Sequence, residues 1–510
     1  MPQDTAPDSG SPDAFLRASR TRVVVVGGGI AGLVAALEWA KIGANVTVLD
    51  AAEQLGGCVE TLTLDDLPVD VVADAFALGS PALAALLDEL HLSAAVEPLR
   101  PRPVWIAPLA GGAAAPLPAD TVLGIPANTW ADDVRRIIGW SGVWRAYLDR
   151  LRPPLTIGHE RSLGNLVRTR MGDRVVDRLV APVTRGLYGI GPDEVDVDVA
   201  APGLSAALTR AGSLAGAVAQ LLPESDAAPT RATLRRGMGQ LVDALVARLT
   251  DLGAELRTGV RVIGLARSAD EWAVELEPAA DEPDAGESAL MDAGADAAPE
   301  LHADIVIVAT DASPASALLR SVAVATAPGR VTERDVVTLV VDAPQLDAAP
   351  RGRAVYPVPT TGAAAAAPGT GTPRVVAVAQ PTAEAAWLAE AAGPGRHVLR
   401  VTLEATAGAD PESVTAAARA GASELLGIPL PDPRAVAHRR VAVTEPASAL
   451  GHAQRVADVR AAVAARPGLA VVGAWIAGSG LARVVTDATA EVDRLRSSVL
   501  WGPSDPSTPS

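Results

Sequence analysis

Residues 23–40 read VVVVGGGIAGLVAALEWA, and this stretch decides the fold. The four valines form a short β-branched run, which is typical of a buried strand. Three glycines end the run, and helical periodicity follows from about residue 31 to residue 42. A second strand is predicted at 45–49, NVTVL, and the usual right-handed crossover makes the two strands parallel.

The glycines at 27–32 have the form G-x-G-x-x-G directly after the first strand. In that pattern Gly27 permits the tight turn, Gly29 lets the backbone approach a pyrophosphate, and Gly32 lets helix and strand pack closely. The N-terminus of the helix then faces the phosphate charge, which typically contributes about 0.3–1 kcal/mol. Asp50 ends the second strand, where a carboxylate accepts the ribose hydroxyls. The unit predicts a dinucleotide site, the alternative being a glycine-rich turn without a ligand.

Two further glycine-rich segments favour FAD over NAD. A glycine pair, Gly56-Gly57, follows Asp50 closely and would let a second backbone segment approach the cofactor. Residues 473–481, GAWIAGSGL, precede a C-terminal helix whose dipole could stabilise negative charge on a reduced flavin ring. An extended dinucleotide that is contacted from both ends of the chain suits FAD better than NAD.

Composition limits the possible classes of function. The 510-residue chain has a formal net charge of −17, which argues against a nucleic-acid-binding protein because phosphate contacts need a basic face. The 49% of hydrophobic residues can build a large core. The single cysteine, Cys58, excludes a disulfide framework, and the six histidines lack metal-ligand spacing, so no metal site is predicted.

The apolar residues 23–40 approach the length of about 20 residues that spans a bilayer. The three glycines divide them into a strand and a helix, so we predict no spanning segment. The polar N-terminus has no signal-peptide pattern, and we find no basic amphipathic surface helix. We expect a cytoplasmic protein, for which peripheral membrane contact stays open.

Five blocks of sequence together resemble the protoporphyrinogen/coproporphyrinogen III oxidase family of amine-oxidase-like flavoproteins. Two of them are close to the porphyrinogen oxidases specifically: SLGNLVRTRMGDRVVDRLVAPVTRGLYGIGPDEV at 162–195 and TLRRGMGQLVDALVARL at 233–249. The N-terminal glycine unit, ADIVIVAT at 303–310, and GHAQRV…GLAVVGAWIAGSGL near the C-terminus complete the resemblance. The blocks follow the family's order and cover most of residues 21–495.

The resemblance implies an activity. Members of the family bind FAD non-covalently, take hydrogen from a porphyrinogen and pass electrons to O₂, which gives a porphyrin and hydrogen peroxide. The expected function is oxidation of coproporphyrinogen III in haem biosynthesis, with a porphyrinogen and O₂ as partners. The alternatives are a protoporphyrinogen IX oxidase, a flavin amine oxidase or desaturase, and a non-catalytic porphyrin- or flavin-binding homologue. The oligomeric state is not predicted.

The resemblance also implies a set of cofactor-binding residues. They are Gly27, Gly28, Gly29, Ile30, Ala31, Gly32, Asp50, Ala51, Gly56, Gly57, Val72, Ala73, Asp74, Ala75, Val260, Ser479, Gly480 and Leu481. The sequence departs from the family at three places: Cys58 and the pair Leu78-Gly79 replace basic residues, and Ala447-Ser448 replaces a Gln-Tyr pair.

A substrate with several carboxylates requires guanidinium or backbone donors around an apolar cavity. Arg185, within VAPVTRGLYG, is our candidate for such a contact, the alternative being a surface residue. Trp475 is a candidate wall of the cavity, the alternative being a core residue. No catalytic acid or base is predicted, because flavin N5 can accept a hydride from a carbon that is held nearby.

The predicted fold is α/β, with a discontinuous Rossmann-like FAD-binding domain, a substrate-binding α+β domain and a helical insertion. The FAD-binding domain is predicted at 21–62, 232–312 and 441–498, and the substrate domain at 63–95 and 313–440. A mainly helical insertion at 96–231 would cover the substrate cavity. Disordered tails are predicted at 1–20 and 499–510, and the acidic stretch 278–300 is predicted to be a mobile insertion in a hairpin.

Overall fold

The structure is a computed structural model that describes residues 17–152, 160–222, 231–268, 271–278, 299–326, 329–359 and 373–500. Its strands are β1 (Arg22–Val26), β2 (Asn45–Leu49), β3 (Thr61–Leu64), β4 (Leu67–Asp70), β5 (Phe76–Ala77), β6 (Val96–Pro98), β7 (Val104–Ala107), β8 (Ala115–Pro116), β9 (Thr121–Val122), β10 (Ile125–Pro126), β11 (Arg231–Leu234), β12 (Glu255–Arg257), β13 (Val262–Ser268), β14 (Glu271–Leu276), β15 (Glu300–Ala303), β16 (Ile305–Val308), β17 (Val331–Asp342), β18 (Ala354–Pro357), β19 (Val375–Ala379), β20 (Arg396–Glu404), β21 (Ala435–Thr444) and β22 (Leu469–Val471).

The helices are α1 (Ile30–Ala40), α2 (Pro81–Glu89), α3 (Asp132–Tyr147), α4 (Leu163–Met171), α5 (Asp173–Val175), α6 (Ala181–Tyr188), α7 (Val197–Ala200), α8 (Leu204–Ala211), α9 (Leu214–Leu221), α10 (Gly239–Asp251), α11 (Ala312–Ser321), α12 (Pro381–Glu384), α13 (Ala386–Ala392), α14 (Pro411–Leu426), α15 (His452–Ala464), α16 (Ala474–Ala477) and α17 (Leu481–Leu500).

A five-stranded parallel sheet joins the two ends of the chain, in the order β12-β2-β1-β16-β22. Residues 305–308 of β16 are fully buried, as expected for a parallel strand that is covered on both faces. Helices α1, α10 and α17 pack on one face, and α11 and α15 pack on the other. The glycine-rich turns that follow β1 and β22 both lie at the carboxyl edge of this sheet, where doubly wound folds bind ligands.

A seven-stranded sheet forms the second large unit, in the order β21-β17-β20-β19-β18-β7-β8. Its neighbouring strands are antiparallel except for the parallel pair of β18 and β7. Helix α14 packs on the face that presents Leu339 and Val401. The opposite face, which presents Val340 and Val398, packs on the hairpin of β3 and β4. This opposite face is called the inner face below.

The helical region packs against one side of the inner face. Ser162 caps α4 by accepting a hydrogen bond from the Asn165 N–H at 3.2 Å. At Gly186 of α6, an added Cβ would lie 2.5 Å from the ring of Tyr356 on β18. The absence of a side chain at Gly186 therefore lets this helix lie directly on the sheet.

The α/β fold class is confirmed, and the proposed domain boundaries stay predictions. Two segments pack differently from the predicted division. Helix α2, which the sequence analysis assigns to the substrate domain, packs in the same core as α1 and α17. Residues 96–126, placed in the helical insertion, form short strands, of which β7 and β8 extend the seven-stranded sheet because their alternating residues fit its edge.

The ends of the predicted tails also differ from expectation. Ala18 is buried, and the carbonyl of Ser19 accepts a hydrogen bond from the Asn45 side chain at 2.9 Å, so residues 17–20 already pack on the fold. Helix α17 continues to Leu500. Residues 1–16 and 501–510, together with 279–298 of the predicted mobile insertion, lie outside the described residues.

An aromatic and basic patch on α3 was not expected from the sequence. Trp140 and Trp144 are 59% and 57% exposed, and both rings make edge contacts with Trp130. The guanidinium of Arg135 lies 4.7 Å from the Trp140 ring centroid. The expectation that no basic amphipathic surface helix exists stays a prediction, because α3 also carries Asp132 and Asp133 in its first turn. Among the described helices, none is long and apolar enough to cross a membrane.

Candidate functional site

The turn between β1 and α1 has room for a ligand at one glycine and none at two others. At Gly27, where φ is +110°, an added Cβ would lie 2.8 Å from the Ala309 carbonyl. At Gly32 it would lie 1.9 Å from the carbonyl oxygen of Gly27. At Gly29 it would meet no atom within 4 Å. Gly27 and Gly32 are thus required for packing, while Gly29 borders open space.

The N-terminus of α1 borders the same open space. Gly29 is the N-cap of this helix, and no side chain caps it. The first N–H groups of any helix lack intrahelical acceptors, so they are available to an anion. The neighbouring Ile30 and Ala31 are buried in the core that α1 shares with the parallel sheet.

Backbone donors fix Asp50 at the end of β2. One carboxylate oxygen accepts the Gly28 N–H at 2.6 Å, and the other accepts the Ala52 N–H at 2.7 Å. The Val260 N–H donates to the Asp50 carbonyl at 2.8 Å, so these two residues of the predicted cofactor site are in contact. The adjacent Ala51 is exposed. A carboxylate offers about four acceptor positions, so positions remain for ribose hydroxyls.

The glycine pair lies against the first turn. The Gly56 N–H donates to the Gly28 carbonyl at 2.8 Å, and Gly56 and Gly29 form a short parallel bridge. Both Gly56 and Gly57 have positive φ, at +110° and +62°, a conformation that side-chain-bearing residues rarely adopt. The two glycine-rich segments therefore form one continuous backbone surface.

Cys58 follows this surface, and its thiol is exposed. The surrounding protein and the charge of Asp311 raise its pKa, so the thiol stays protonated at neutral pH. This state does not suit a nucleophile or a metal ligand. Among the described residues, no group of three or more candidate ligands could hold a metal ion.

The predicted segment Val72–Ala75 continues from the same surface. The Ala73 N–H donates to the Cys58 carbonyl at 3.2 Å. The next carboxylate, Asp74, forms an ion pair with Arg400 on β20 at 2.6 Å. Burial by itself would raise the pKa of Asp74, but the charges of Arg400 and Arg231 outweigh burial and hold it below its usual value.

The C-terminal glycine turn lies beside the first one. An added Cβ at Gly473 would lie 3.7 Å from the Thr310 carbonyl, directly after the Ala309 that contacts Gly27. Gly480 resembles Gly29, because it precedes a helix and an added Cβ there would meet no atom within 4 Å. Helix α17 begins at Leu481, after Ser479 and Gly480, so a second helix N-terminus is present where the sequence predicts it.

Two residues of this turn bear on the sequence predictions. An added Cβ at Gly478 would lie 2.6 Å from the Ala447 Cβ. Ala447 therefore packs closely against a position that has no room for a side chain. Trp475 is 7% exposed and packs in the core around β16 and β22. Its burial favours the core alternative over a cavity wall.

Arg185 lines a different cavity, of about 880 Å³, at the outer end of the seven-stranded sheet. Three more arginines line it: Arg330, Arg334 and Arg374. Among the described residues, Arg330 pairs with Glu194, whereas Arg185 and Arg374 form no ion pair. Such a volume lies within the range of about 300–1,000 Å³ that is usual for small-molecule sites.

Arg334 is the arginine of this cavity that the protein surrounds most closely. Its Nη2 donates to the Gly189 carbonyl at 3.3 Å, and Glu404 lies opposite on β20 without a close ion pair. Burial, together with the charge of Arg330, lowers the pKa of Arg334. A guanidinium in such surroundings is suited to bind an anion.

The helix that carries Arg185 also reaches toward the C-terminal glycine turn. Burial raises the pKa of Tyr188, at the end of α6, and the charge of Arg483 opposes that effect. Arg483 lies in the first turn of α17, just after Ser479–Leu481. The end of α6 therefore lies within electrostatic reach of the first turn of α17.

The residues present fit a dinucleotide. Two helix N-termini, each beginning after a glycine that borders open space, lie along one glycine surface, and a fixed carboxylate stands at its edge. A buried guanidinium nitrogen, Arg400 Nη1, has no hydrogen-bond partner among the described residues. A bound dinucleotide would supply the phosphates and polar groups that these donors need.

The family described as flavin containing amine oxidoreductase matches residues 30–495. The chain belongs to this family. The predicted FAD cofactor and flavin-dependent oxidoreductase class are thereby confirmed, whereas the individual cofactor contacts stay predictions.

Relatives of this flavin oxidoreductase include porphyrinogen oxidases. It is 32% identical over 299 residues to coproporphyrinogen III oxidase of Propionibacterium freudenreichii, covering 52% of this chain and 56% of the relative. It is 35% identical over 230 residues to the Mycobacterium tuberculosis enzyme of that name, covering 44% of this chain and 50% of the relative. The chain thus spans about half the length of the curated relatives it matches.

The fold also matches that of a solved structure. A protein of Exiguobacterium sp. 255-15, proposed to be a protoporphyrinogen oxidase, superposes with a TM-score of 0.75 at 23% identity. The match covers 94% of this chain and 99% of that protein. At this identity the likeness shows the fold alone.

The sequence analysis missed Arg334, Arg374 and Arg400. Alternation along RHVLRVTLE in β20 puts Arg400 on the face opposite Leu399 and Val401. That alternation is visible in the sequence, but which face meets the cofactor surface is not. In the folded sheet Arg400 meets Asp74, and Arg334 and Arg374 line the cavity with Arg185.

Proposed function

We propose that this flavoprotein oxidises coproporphyrinogen III to coproporphyrin III in haem biosynthesis, with O₂ as acceptor and hydrogen peroxide as second product. The observation that carries the proposal is the arginine-lined cavity, in which Arg185 and Arg374 form no ion pair with the described residues and suit a ligand with several carboxylates. The names of the partial-length relatives support it. The alternative substrate is protoporphyrinogen IX.

In this proposal the glycine surface holds FAD non-covalently. Gly29 and the N-terminus of α1 receive the pyrophosphate, and Asp50 accepts the ribose hydroxyls. The N-terminus of α17 faces the flavin ring. When bound, the cofactor supplies the hydride acceptor, and the protein supplies position, charge and exclusion of water.

The arginines give the site its substrate preference. Coproporphyrinogen III is a tetra-acid, whereas protoporphyrinogen IX is a di-acid with vinyl groups in place of two propionates. The chain carries a net charge of −17, so long-range repulsion of a tetra-anion must be overcome locally. Arg185, Arg334 and Arg374 provide the local positive charge.

The decisive test is kcat/KM for both porphyrinogens, measured aerobically on the FAD-loaded protein. We expect a clear preference for coproporphyrinogen III and formation of one hydrogen peroxide per two electrons removed. Arg185→Ala should raise KM for coproporphyrinogen more than KM for protoporphyrinogen. Arg210→Ala, on the surface of neighbouring α8, is the matched control.

Each other result has a definite meaning. A preference for protoporphyrinogen would overturn the substrate assignment. Oxidation of neither porphyrinogen, combined with tight porphyrin binding, would favour the non-catalytic homologue. Oxidation of amines in their place would favour the amine oxidase.

We further propose that the Trp140–Trp144 patch provides the peripheral membrane contact that the sequence leaves open. Exposed tryptophans flanked by arginines are typical of the membrane interface. Trp140→Ala/Trp144→Ala should reduce sedimentation with vesicles that contain anionic phospholipid. Ile263→Ala removes an exposed apolar side chain elsewhere and should have no effect. Equal sedimentation of wild type and the double variant would contradict the proposal.

A further inference from the structure

The ion pair between Arg400 and Asp74 connects the seven-stranded sheet with the glycine surface. The Arg400 side chain is 12% exposed and lies on the inner face of β20. Its Nη2 contacts Asp74 at 2.6 Å. Its Nη1 is buried and has no hydrogen-bond partner among the described residues. An unpaired donor on a buried guanidinium is costly, so it indicates an acceptor that is bound in the working protein.

The surroundings of Arg400 place that acceptor next to the cofactor surface. Thr338 lies opposite Arg400 on β17, and its hydroxyl donates to the Val71 carbonyl at 3.4 Å. Two residues later, the Ala73 N–H donates to the Cys58 carbonyl. Cys58 directly follows Gly57, so a short series of contacts connects Arg400 with the bridge between Gly56 and Gly29.

Other charges near this position are already paired. Arg231 forms an ion pair with Glu384 at 2.8 Å, and Arg353 lies 3.9 Å from the same carboxylate. Asp74 stays ionised because Arg400 and Arg231 hold its pKa low against the effect of burial. Asp74 can therefore anchor one side of the Arg400 guanidinium and leave the other side available to a ligand.

We propose that Arg400 donates a hydrogen bond from Nη1 to an anionic oxygen of a group bound beside residues 71–76. Two groups can supply this oxygen: the pyrimidine edge of the bound flavin, which gains negative charge on reduction, and a carboxylate of the substrate. The contacts through Ala73 and Cys58 favour the flavin. A substrate carboxylate as the source of this oxygen rests on the proposed function. The flavin as its source rests only on membership of the flavin oxidoreductase family.

The test uses the substrate-free holoprotein. Arg400→Met removes the charge, and Arg400→Lys retains it. Arg396→Met is the matched control, because Arg396 lies on the same face of the same strand but pairs with Asp65 at 3.0 Å and not with Asp74. The measurement is the midpoint potential of bound FAD, followed by the Kd of coproporphyrin III.

For Arg400→Met we expect the preference for reduced over oxidised FAD to fall at least tenfold, which lowers the midpoint potential by about 30 mV for a two-electron couple. Arg400→Lys should retain most of the wild-type potential, and Arg396→Met should retain all of it. An unchanged potential with at least tenfold weaker coproporphyrin binding would identify the substrate carboxylate as the source.

Unchanged potential and unchanged porphyrin binding in flavin-loaded Arg400→Met would overturn the proposal. If that variant does not fold, Arg400→Gln, which retains a donor without charge, takes its place under the same criteria. The potential measurement needs no turnover. A wild-type protein that oxidises no porphyrinogen would therefore overturn the proposed function only, because the flavin contact is decided by the potential of the Arg400 variant alone.

Discussion

The glycine surface on the parallel sheet and the charged inner face of the seven-stranded sheet present different groups to a ligand. The glycine surface presents backbone groups, and most of its residues lie within 27–57 and 473–481. The inner face presents side chains, and Asp74 and Arg400 are more than 300 positions apart in the chain. The first kind of site is sensitive to any added atom, whereas the second is sensitive to loss of charge.

The largest expected effect is on the glycine surface, and a matched pair of substitutions separates packing from binding. At Gly32 a Cβ would overlap the Gly27 carbonyl oxygen, so Gly32→Ala should destabilise the protein by about 3 kcal/mol or more. At Gly29 a Cβ meets open space, so Gly29→Ala should change stability by less than about 1 kcal/mol. It should nevertheless weaken FAD binding at least tenfold.

Denaturant unfolding of the apoproteins and FAD titration measure the two effects separately. Equal stability of the two variants would contradict the distinction between packing and binding glycines. Wild-type FAD affinity in Gly29→Ala would contradict the proposal that the pyrophosphate binds at this position.

Asp70, where the two regions meet, tests how burial of charge affects stability. It accepts hydrogen bonds from the Met238 N–H and the Thr61 hydroxyl, and burial raises its pKa to about 6. Because its folded pKa lies above the unfolded value, stability should fall as the pH rises from about 4 to about 6 and stay lower above that range. Asp70→Asn should be more stable than wild type by up to about 3 kcal/mol at a pH of about 8.

Asp65→Asn in the same hairpin provides a control of opposite sign. Arg434 and Arg396 lower the pKa of Asp65, so its stabilisation is present above the unfolded pKa and is lost as the pH falls. This variant should be less stable than wild type at neutral pH. The measurement is the free energy of unfolding of each protein between about pH 4 and pH 8. If Asp70→Asn follows the wild-type curve, the assignment for Asp70 is wrong.

A smaller effect is expected at the edge of the glycine surface. Asp50→Ala removes an acceptor for two backbone N–H groups and for the proposed ribose contact. A hydrogen bond to a charged group contributes about 1.5–3 kcal/mol, so FAD affinity should fall about tenfold or more. Asp50→Asn retains one acceptor oxygen and should lose less. Equilibrium titration showing wild-type affinity in Asp50→Ala would contradict the ribose contact.

The smallest effect is expected in the acidic insertion. The Leu276 N–H donates to the Pro299 carbonyl at 2.9 Å, and β14 pairs with β15, so the hairpin is closed by described residues. Replacing residues 279–298 by a short Gly/Ser turn should leave flavin content and Tm nearly unchanged. A large loss of either, seen in absorbance or thermal unfolding, would show that the segment contributes to the site.

The sequence by itself determined the glycine surface. Strands β1 and β2 lie within one residue of their predicted bounds, because apolar periodicity and turn glycines act locally. The hydrogen bond from the Gly28 N–H to Asp50 follows from the same βαβ unit. Backbone geometry at close range is encoded by residues that are near one another in the chain.

Only the tertiary structure decided what faces the cofactor surface. Arg334 and Arg400 occupy alternating strand positions that look like any half-buried strand, and the sheet brings them to the cavity and to Asp74. The burial of Trp475 and the exposure of Trp140 were likewise set by packing of distant elements. An isolated arginine or tryptophan carries no local signal of its environment, because burial and charge pairing depend on residues that are remote in sequence.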